Sequence, residues 1–255
     1  MGHPQDAAAL ARLGLIPRAL HDVGEPDLTV ELLGRLWPSP LLRRAVAPGA
    51  DLGNALALVD AAALHGPHPT RVPIVAAGRM GDLMPEVRRL AAWDVPALAL
   101  DLTTLADTPP FGPRAWHPRS RDDLGEVVAA AGRPVWLIGI ASADDAAVAA
   151  DAGVDAIVVD GVLGRHLGGP ATAELLPEVV DAVAGMLRVL AGGEIASGVD
   201  ALRLLALGAD AVVVGGERPT AALEEELRYG LRLTGCASLA DVGYDIVFAP
   251  LFDEP

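Results

Sequence analysis

Residues 152–161 and 207–216 of this chain follow one plan. The first reads Ala152-Gly153-Val154-Asp155-Ala156-Ile157-Val158-Val159-Asp160-Gly161, and the second reads Leu207-Gly208-Ala209-Asp210-Ala211-Val212-Val213-Val214-Gly215-Gly216. In each, a glycine suited to ending a helix precedes an Asp-Ala turn, an unbroken apolar β-branched run and a glycine at the run's far edge. Runs that are apolar on both faces suit strands of a parallel sheet covered by helices, and their repetition predicts successive units of a TIM-type (β/α) barrel. A chain of 255 residues is long enough for one such barrel. Chemistry then belongs at the C-terminal ends of the strands.

The hydrophobic pattern elsewhere agrees. Strands are expected over 41–46, 72–77, 97–101, 135–140, 156–159, 188–191 and 211–214. Amphipathic helices are expected over 52–64, 82–93, 122–130, 143–150, 173–183, 199–207 and 221–233. Seven strands fall short of the eight that close such a barrel, so residues 41–255 are expected to form a shortened one. Residues 1–40 read as a cap. A short helix at 7–13 is followed by alternation at Leu28, Val30 and Leu32 before Gly34, a hairpin placed to plug the N-terminal face of the barrel. The proline-rich stretch 103–121 has no periodicity and is expected as a long loop on the strand C-terminal side.

Composition removes several classes of function. A net charge of −15 opposes a nucleic-acid or anionic-membrane partner, and Arg43-Arg44 and Arg88-Arg89 are isolated pairs with no surrounding patch. All 19 basic residues are arginine, which excludes a Schiff-base lysine, covalently anchored pyridoxal phosphate and a P-loop lysine. Cys236 stands alone, so no intramolecular disulfide or cysteine metal cluster is expected, and a reducing cytoplasm is the expected location. No leader or membrane-spanning run is read in the sequence. His65-Gly-Pro-His68 lacks a neighbouring carboxylate or cysteine and reads as a loop, so no metal site is expected.

A succession of segments carries a family likeness. Pro134-Val-Trp-Leu-Ile-Gly-Ile140, Asp155-Ala-Ile-Val-Val159, Pro170-Ala-Thr172, Leu176-Pro-Glu-Val179, Ala206-Leu-Gly-Ala-Asp-Ala211 and Leu233-Thr-Gly-Cys-Ala-Ser-Leu-Ala-Asp241 resemble, in this order, the FMN-dependent α-hydroxy-acid oxidases and dehydrogenases. That family contains glycolate oxidase, lactate oxidase and lactate 2-monooxygenase. Pro17-Arg-Ala-Leu-His-Asp-Val23 through Leu33-Gly-Arg-Leu-Trp-Pro-Ser-Pro-Leu41 is similar to its N-terminal hairpin. The resemblance implies a TIM barrel, FMN as cofactor, a 2-hydroxy acid as substrate and a homo-oligomer.

The residues of that chemistry are replaced where the likeness places them. Ile138 stands at the position of the lysine that steadies reduced flavin, and Val162-Leu-Gly-Arg165 stands for the run whose histidine is the base and whose arginine holds the substrate carboxylate. Val75, Ala77 and Ala99 replace ring-side polar residues, Ala191 replaces the aspartate before Gly192-Gly193, and Gly215-Gly-Glu-Arg218 replaces a Gly-Arg phosphate loop.

Gly192, Gly193, Gly215, Gly216 and Arg218 are the cofactor-binding candidates, with plain turn glycines as the alternative. Arg165, His166, Asp160 and Asp101 are the catalytic candidates. Arg165 could clamp a carboxylate or sit at a subunit contact, and the two aspartates could do acid-base work or cap the turns that follow. Two readings stay open. One is a pseudoenzyme-like barrel that binds a small anionic ligand, serves a protein partner or catalyses a non-redox step. The other is a divergent FMN-binding oxidoreductase acting on a carboxylate-bearing substrate with His166 or Asp160 as base.

Overall fold

The computed structural model describes residues 5–45, 55–105 and 118–248. Eight parallel strands close into a barrel: β1 (Leu41–Ala45), β2 (Ala57–Asp60), β3 (Arg71–Ala76), β4 (Leu98–Asp101), β5 (Val135–Ile140), β6 (Ala156–Val159), β7 (Arg188–Ala191) and β8 (Ala211–Val214). Each pairs with the next, and β8 returns to β1 through Val212 opposite Leu41. The TIM-type fold stands, while the seven-strand, shortened barrel is corrected to eight strands.

The missing strand is β2, inside the segment expected as a helix over 52–64. The run Leu56-Ala-Leu-Val-Asp-Ala-Ala-Ala63 favours a helix by propensity, but pairing overrides it: Ala57 lies opposite both Arg43 and Arg71. Ala57 and Leu58, which point to opposite faces, are both fully buried. Residues 61–70, between β2 and β3, hold only a 3₁₀ turn, Ala61–Ala63, capped by the Asp60 carboxylate accepting from the Ala62 amide at 2.8 Å. The barrel is therefore complete in strands and thinned in its helical jacket there.

The α-helices are α1 (Asp6–Arg12), α2 (Met80–Ala91), α3 (Arg121–Ala131), α4 (Ala143–Asp151), α5 (Thr172–Val183), α6 (Gly198–Ala206) and α7 (Thr220–Thr234). Ser120, Ser142 and Ser197 cap α3, α4 and α6 by accepting backbone N–H bonds. The interior of the barrel is filled by Leu42, Leu58, Val72, Trp136, Ile138, Val158, Leu190 and Val213. The hairpin Val30–Leu32/Arg35–Trp37, turned at Leu33 and Gly34 with φ of 57° and 67°, adds Leu32 and Trp37 to the same core. Following directly into β1, it closes the N-terminal end. Helix α1 lies elsewhere, against α5.

The repeated sequence plan has a physical basis here. Gly153 and Gly208 adopt φ of 80° and 102° just past helix ends, and each following aspartate binds the strand before its own. Asp155 Oδ2 accepts from the Val135 amide at the start of β5 at 2.9 Å, and Asp210 Oδ2 accepts from the Val189 amide in β7 at 2.8 Å. The aspartates thus fasten neighbouring strands at the N-terminal face. Among the described residues no helix is long and apolar enough to cross a membrane.

Candidate active site at the barrel mouth

Successive side chains of a barrel strand point in and out, so the adjacent Arg43 and Arg44 at the end of β1 part company. Arg44 turns inward and reaches across to β4, where its Nη2 lies 2.5 Å from Asp101 Oδ2. Asp101 Oδ1 accepts from the Thr103 amide at 2.9 Å and from the Thr103 hydroxyl at 2.6 Å. Three donors hold this buried carboxylate, which anchors Arg44 and the turn after β4.

Asp160 immediately follows β6 and is 6% exposed. Its Oδ1 accepts from the Val162 amide at 3.0 Å, and Oδ2 has no hydrogen-bond donor among the described residues. Gly192 faces that oxygen, and a Cβ there would stand 3.3 Å from it. Burial pushes the Asp160 carboxyl up to about 6; the Val162 amide and Arg44 act against the rise, while Asp6 and Asp101 add to it. Among the described residues of this mouth, Asp160 is thus suited to carry a proton near neutrality.

The folded carboxyl holds its proton more tightly than the unfolded one. Its contribution to stability is therefore full below about 3.8 and is lost as pH rises through about 6. Asp160→Asn, which keeps an acceptor for Val162, is expected to stabilise the protein by about 2–3 kcal/mol at pH 7 and to have little effect near pH 4. Urea unfolding of both proteins across this range checks it.

The glycine loops after β7 and β8 are bound by the chain's own charges. Gly193, at φ 100°, allows the Asp6 carboxylate from α1 to approach, and a Cβ there would lie 2.5 Å from Asp6 Oδ2. Asp6 accepts from the Thr172 amide at the start of α5 and from the Glu194 amide after β7, both at 3.0 Å. At the start of α6, Glu226 accepts from the Gly198 amide at 2.8 Å and pairs with Arg218 at 2.5 Å. Arg218 also donates to the Ala196 carbonyl, and Arg43 donates to the carbonyls of Gly216 and, at 2.7 Å, Arg218.

In the loop after β7, the Glu194 and Gly198 amides that a phosphate would use are therefore held by Asp6 and Glu226, and Glu226 also takes the Arg218 guanidinium. Gly215 and Gly216 have open space around them. As arranged, the loop after β7 does not fit an FMN phosphate unless one of these carboxylates withdraws.

The structure brings Asp101 and Asp160 together with Arg44 and Asp6, neither of which the sequence reading selected. Two adjacent arginines at the end of an apolar strand were a usable signal, because period-2 alternation sends one of them inward. Nothing local marks Asp6, whose partners are far away in sequence. Arg165 and His166 lie on the 3₁₀ turn Gly161–Leu167 just after Asp160, but their side chains fall outside the described residues. The proline-rich loop is outside the described residues over 106–117. Val162 and Ile138 are 5% and 1% exposed, apolar and packed.

A cavity of about 380 Å³ at the opposite end is lined by Asp155, Met186, Arg188 and Asp210. Its two aspartates are the strand fasteners already described. Among the described residues no group of histidine, cysteine, aspartate or glutamate is arranged to hold a metal ion.

A closed parallel barrel with a charged, buried cluster at its C-terminal mouth defines the class, a TIM-type (β/α) barrel. Residues 110–249 match the model of the FMN-dependent dehydrogenase family, and the chain belongs to that family. An L-lactate dehydrogenase of Stenotrophomonas maltophilia is 41% identical over 127 residues, covering 44% of this chain and 34% of the relative. One from Chromohalobacter salexigens is 39% identical over 127 residues, covering 44% and 32%. The chain thus spans about a third of the length of the curated relatives it matches.

Among solved structures, a mandelate oxidase variant with a monooxide FMN adduct superposes at a TM-score of 0.76 and 26% identity, over 95% of this chain and 91% of that one. A flavocytochrome b2 variant shares the fold at a TM-score of 0.82 and 19% identity, over 99% and 81%.

Proposed function

We propose that this member of the FMN-dependent dehydrogenase family does not oxidise 2-hydroxy acids and works as a ligand-binding or non-redox barrel. The observation that carries the reading is that the chain's own side chains take up the mouth: Arg44 is drawn across to Asp101, while Asp6 and Glu226 hold the Glu194 and Gly198 amides of the loop after β7. The apolar Val162 and Ile138, at the positions the likeness assigns to base and flavin-steadying lysine, support it further. A homo-oligomer and a cytoplasmic location remain part of this proposal, and sedimentation of the purified chain tests the first.

A second reading rests on the family match and on the open Gly215-Gly216 loop: an FMN-binding oxidoreductase that takes a carboxylate-bearing substrate, with Asp160 as base. Titration with FMN separates the two. The expected result is a colourless protein from which added FMN elutes freely on gel filtration. Retention of one flavin per chain would establish the second reading.

A further inference from the structure

We propose that the cavity at the N-terminal end of the barrel is a binding site for a small zwitterion, an α-amino acid with a short apolar side chain. The site lies at the far end of the strands from the mouth and is independent of the reading above. Its volume of about 380 Å³ is at the small end for ligand sites, and Asp155, Met186, Leu187, Arg188 and Asp210 line it together. Asp155 and Arg188 stand side by side, because the Arg188 amide donates to the Asp155 carbonyl at 3.0 Å. Asp155 Oδ2 accepts from the Val135 amide, and Oδ1 has no hydrogen-bond donor among the described residues. Arg188 Nη1 donates to Asp210 at 2.8 Å, and Nε and Nη2 have no acceptor among the described residues. One carboxylate oxygen and one guanidinium edge are therefore left over around the same space.

The balance of charge selects the ligand. A simple cation would satisfy Asp155 and face the free edge of Arg188, while a simple anion would satisfy Arg188 and face the carboxylates of Asp155 and Asp210. An ammonium and a carboxylate one carbon apart satisfy both at once, with N–H donors for Asp155 Oδ1 and two oxygens for the Arg188 fork. The apolar part has a place too. The turn into β7 passes through two successive residues of positive φ, Ala184 at 46° and Gly185 at 78°, and leaves Met186 65% exposed beside the buried Leu187. A flexible thioether lining a small cavity is an adaptable contact for an aliphatic side chain. Arg188 is 52% exposed, so binding is expected to be modest in strength and weakened by salt.

Calorimetric titration of the full chain with L-leucine at constant ionic strength tests this. One leucine per chain is expected to bind with a Kd on the order of 1 mM. Isocaproate, which lacks the ammonium, and isoamylamine, which lacks the carboxylate, are each expected to bind at least about tenfold more weakly. Asp155→Asn keeps an acceptor for the Val135 amide and is expected to lose about tenfold for leucine while binding isocaproate no more weakly than wild type does. Arg188→Gln is expected to lose leucine to a similar extent, and because Arg188 is half exposed this variant reports even where Asp155→Asn folds poorly. Asp160→Asn, at the mouth, is expected to bind leucine as the wild type does. Absence of leucine binding by folded wild type, equal binding of either singly charged analogue, or unchanged affinity in Arg188→Gln would each overturn the site. Loss of leucine binding in Asp160→Asn would place the ligand at the mouth and overturn it as well.

Discussion

Turnover of L-lactate, glycolate or mandelate is expected to lie at least ~10²–10⁴-fold below that of an enzyme with a positioned general base. Oxidation of a 2-hydroxy acid requires an acceptor for the hydroxyl proton. At the position the family likeness gives to that acceptor stands Val162, 5% exposed, with its amide committed to Asp160. Ile138, 1% exposed, occupies the interior of β5 where a cation is implied. Neither side chain can exchange a proton or hold a charge. Steady-state assays with an artificial electron acceptor and saturating FMN measure the effect. Rates normal for such oxidases would show that a base outside this alignment, Asp160 or His166, does the work. A Val162→His variant alone is expected to leave turnover low, because Asp6 and Glu226 still occupy the loop after β7.

Gly198→Ala is expected to cost more than about 3 kcal/mol, beyond the usual range for overpacking, and to leave little folded protein. Gly198 begins α6 where that helix crosses α7, and its amide donates to Glu226 at 2.8 Å. A Cβ there would overlap the Leu223 carbonyl oxygen and the Leu227 amide nitrogen, which are backbone atoms of α7 and cannot turn aside. Gly230→Ala makes a graded comparison: its Cβ would stand 2.8 Å from Leu202 Cδ2, the end of a side chain that can rotate. Gly215→Ala, with nothing within 4 Å, is expected to be nearly neutral. Urea denaturation of the three variants orders them. Equal losses at all three would mean that α6 and α7 pack less closely than described.

What could be read from the sequence follows from how local the causes are. The strands β5, β6, β7 and β8 lie at the expected boundaries because each is a short buried run ended by glycine, aspartate or a helix start. The hairpin was legible through its alternation and Leu33-Gly34. β2 was not, because four alanines and two leucines in the run from Leu56 to Ala63 satisfy helix propensity, and only partners on either side make it a strand. At the mouth, Asp101 and Asp160 were legible as strand-end aspartates. Arg44 was hidden by its neighbour Arg43, which made the two look like a surface pair. Asp6 lay beyond local reasoning, since its role is created by loops more than a hundred residues away.

That reach bears on the order in which the molecule assembles. The bonds from Asp6 to Thr172 and Glu194 join positions 166 and 188 residues apart. Closing loops of this size costs entropy before any contact repays it, and contacts of such high order form late. On a ribosome, the first helical turn must wait until β7 and its glycine loop have emerged. Until then the Glu194 amide and the first turn of α5 stay open to small anions from solution. The last stage of folding is then a competition between the chain's own N-terminal carboxylate and whatever anion arrives first, and refolding is expected to slow as phosphate or sulfate concentration rises.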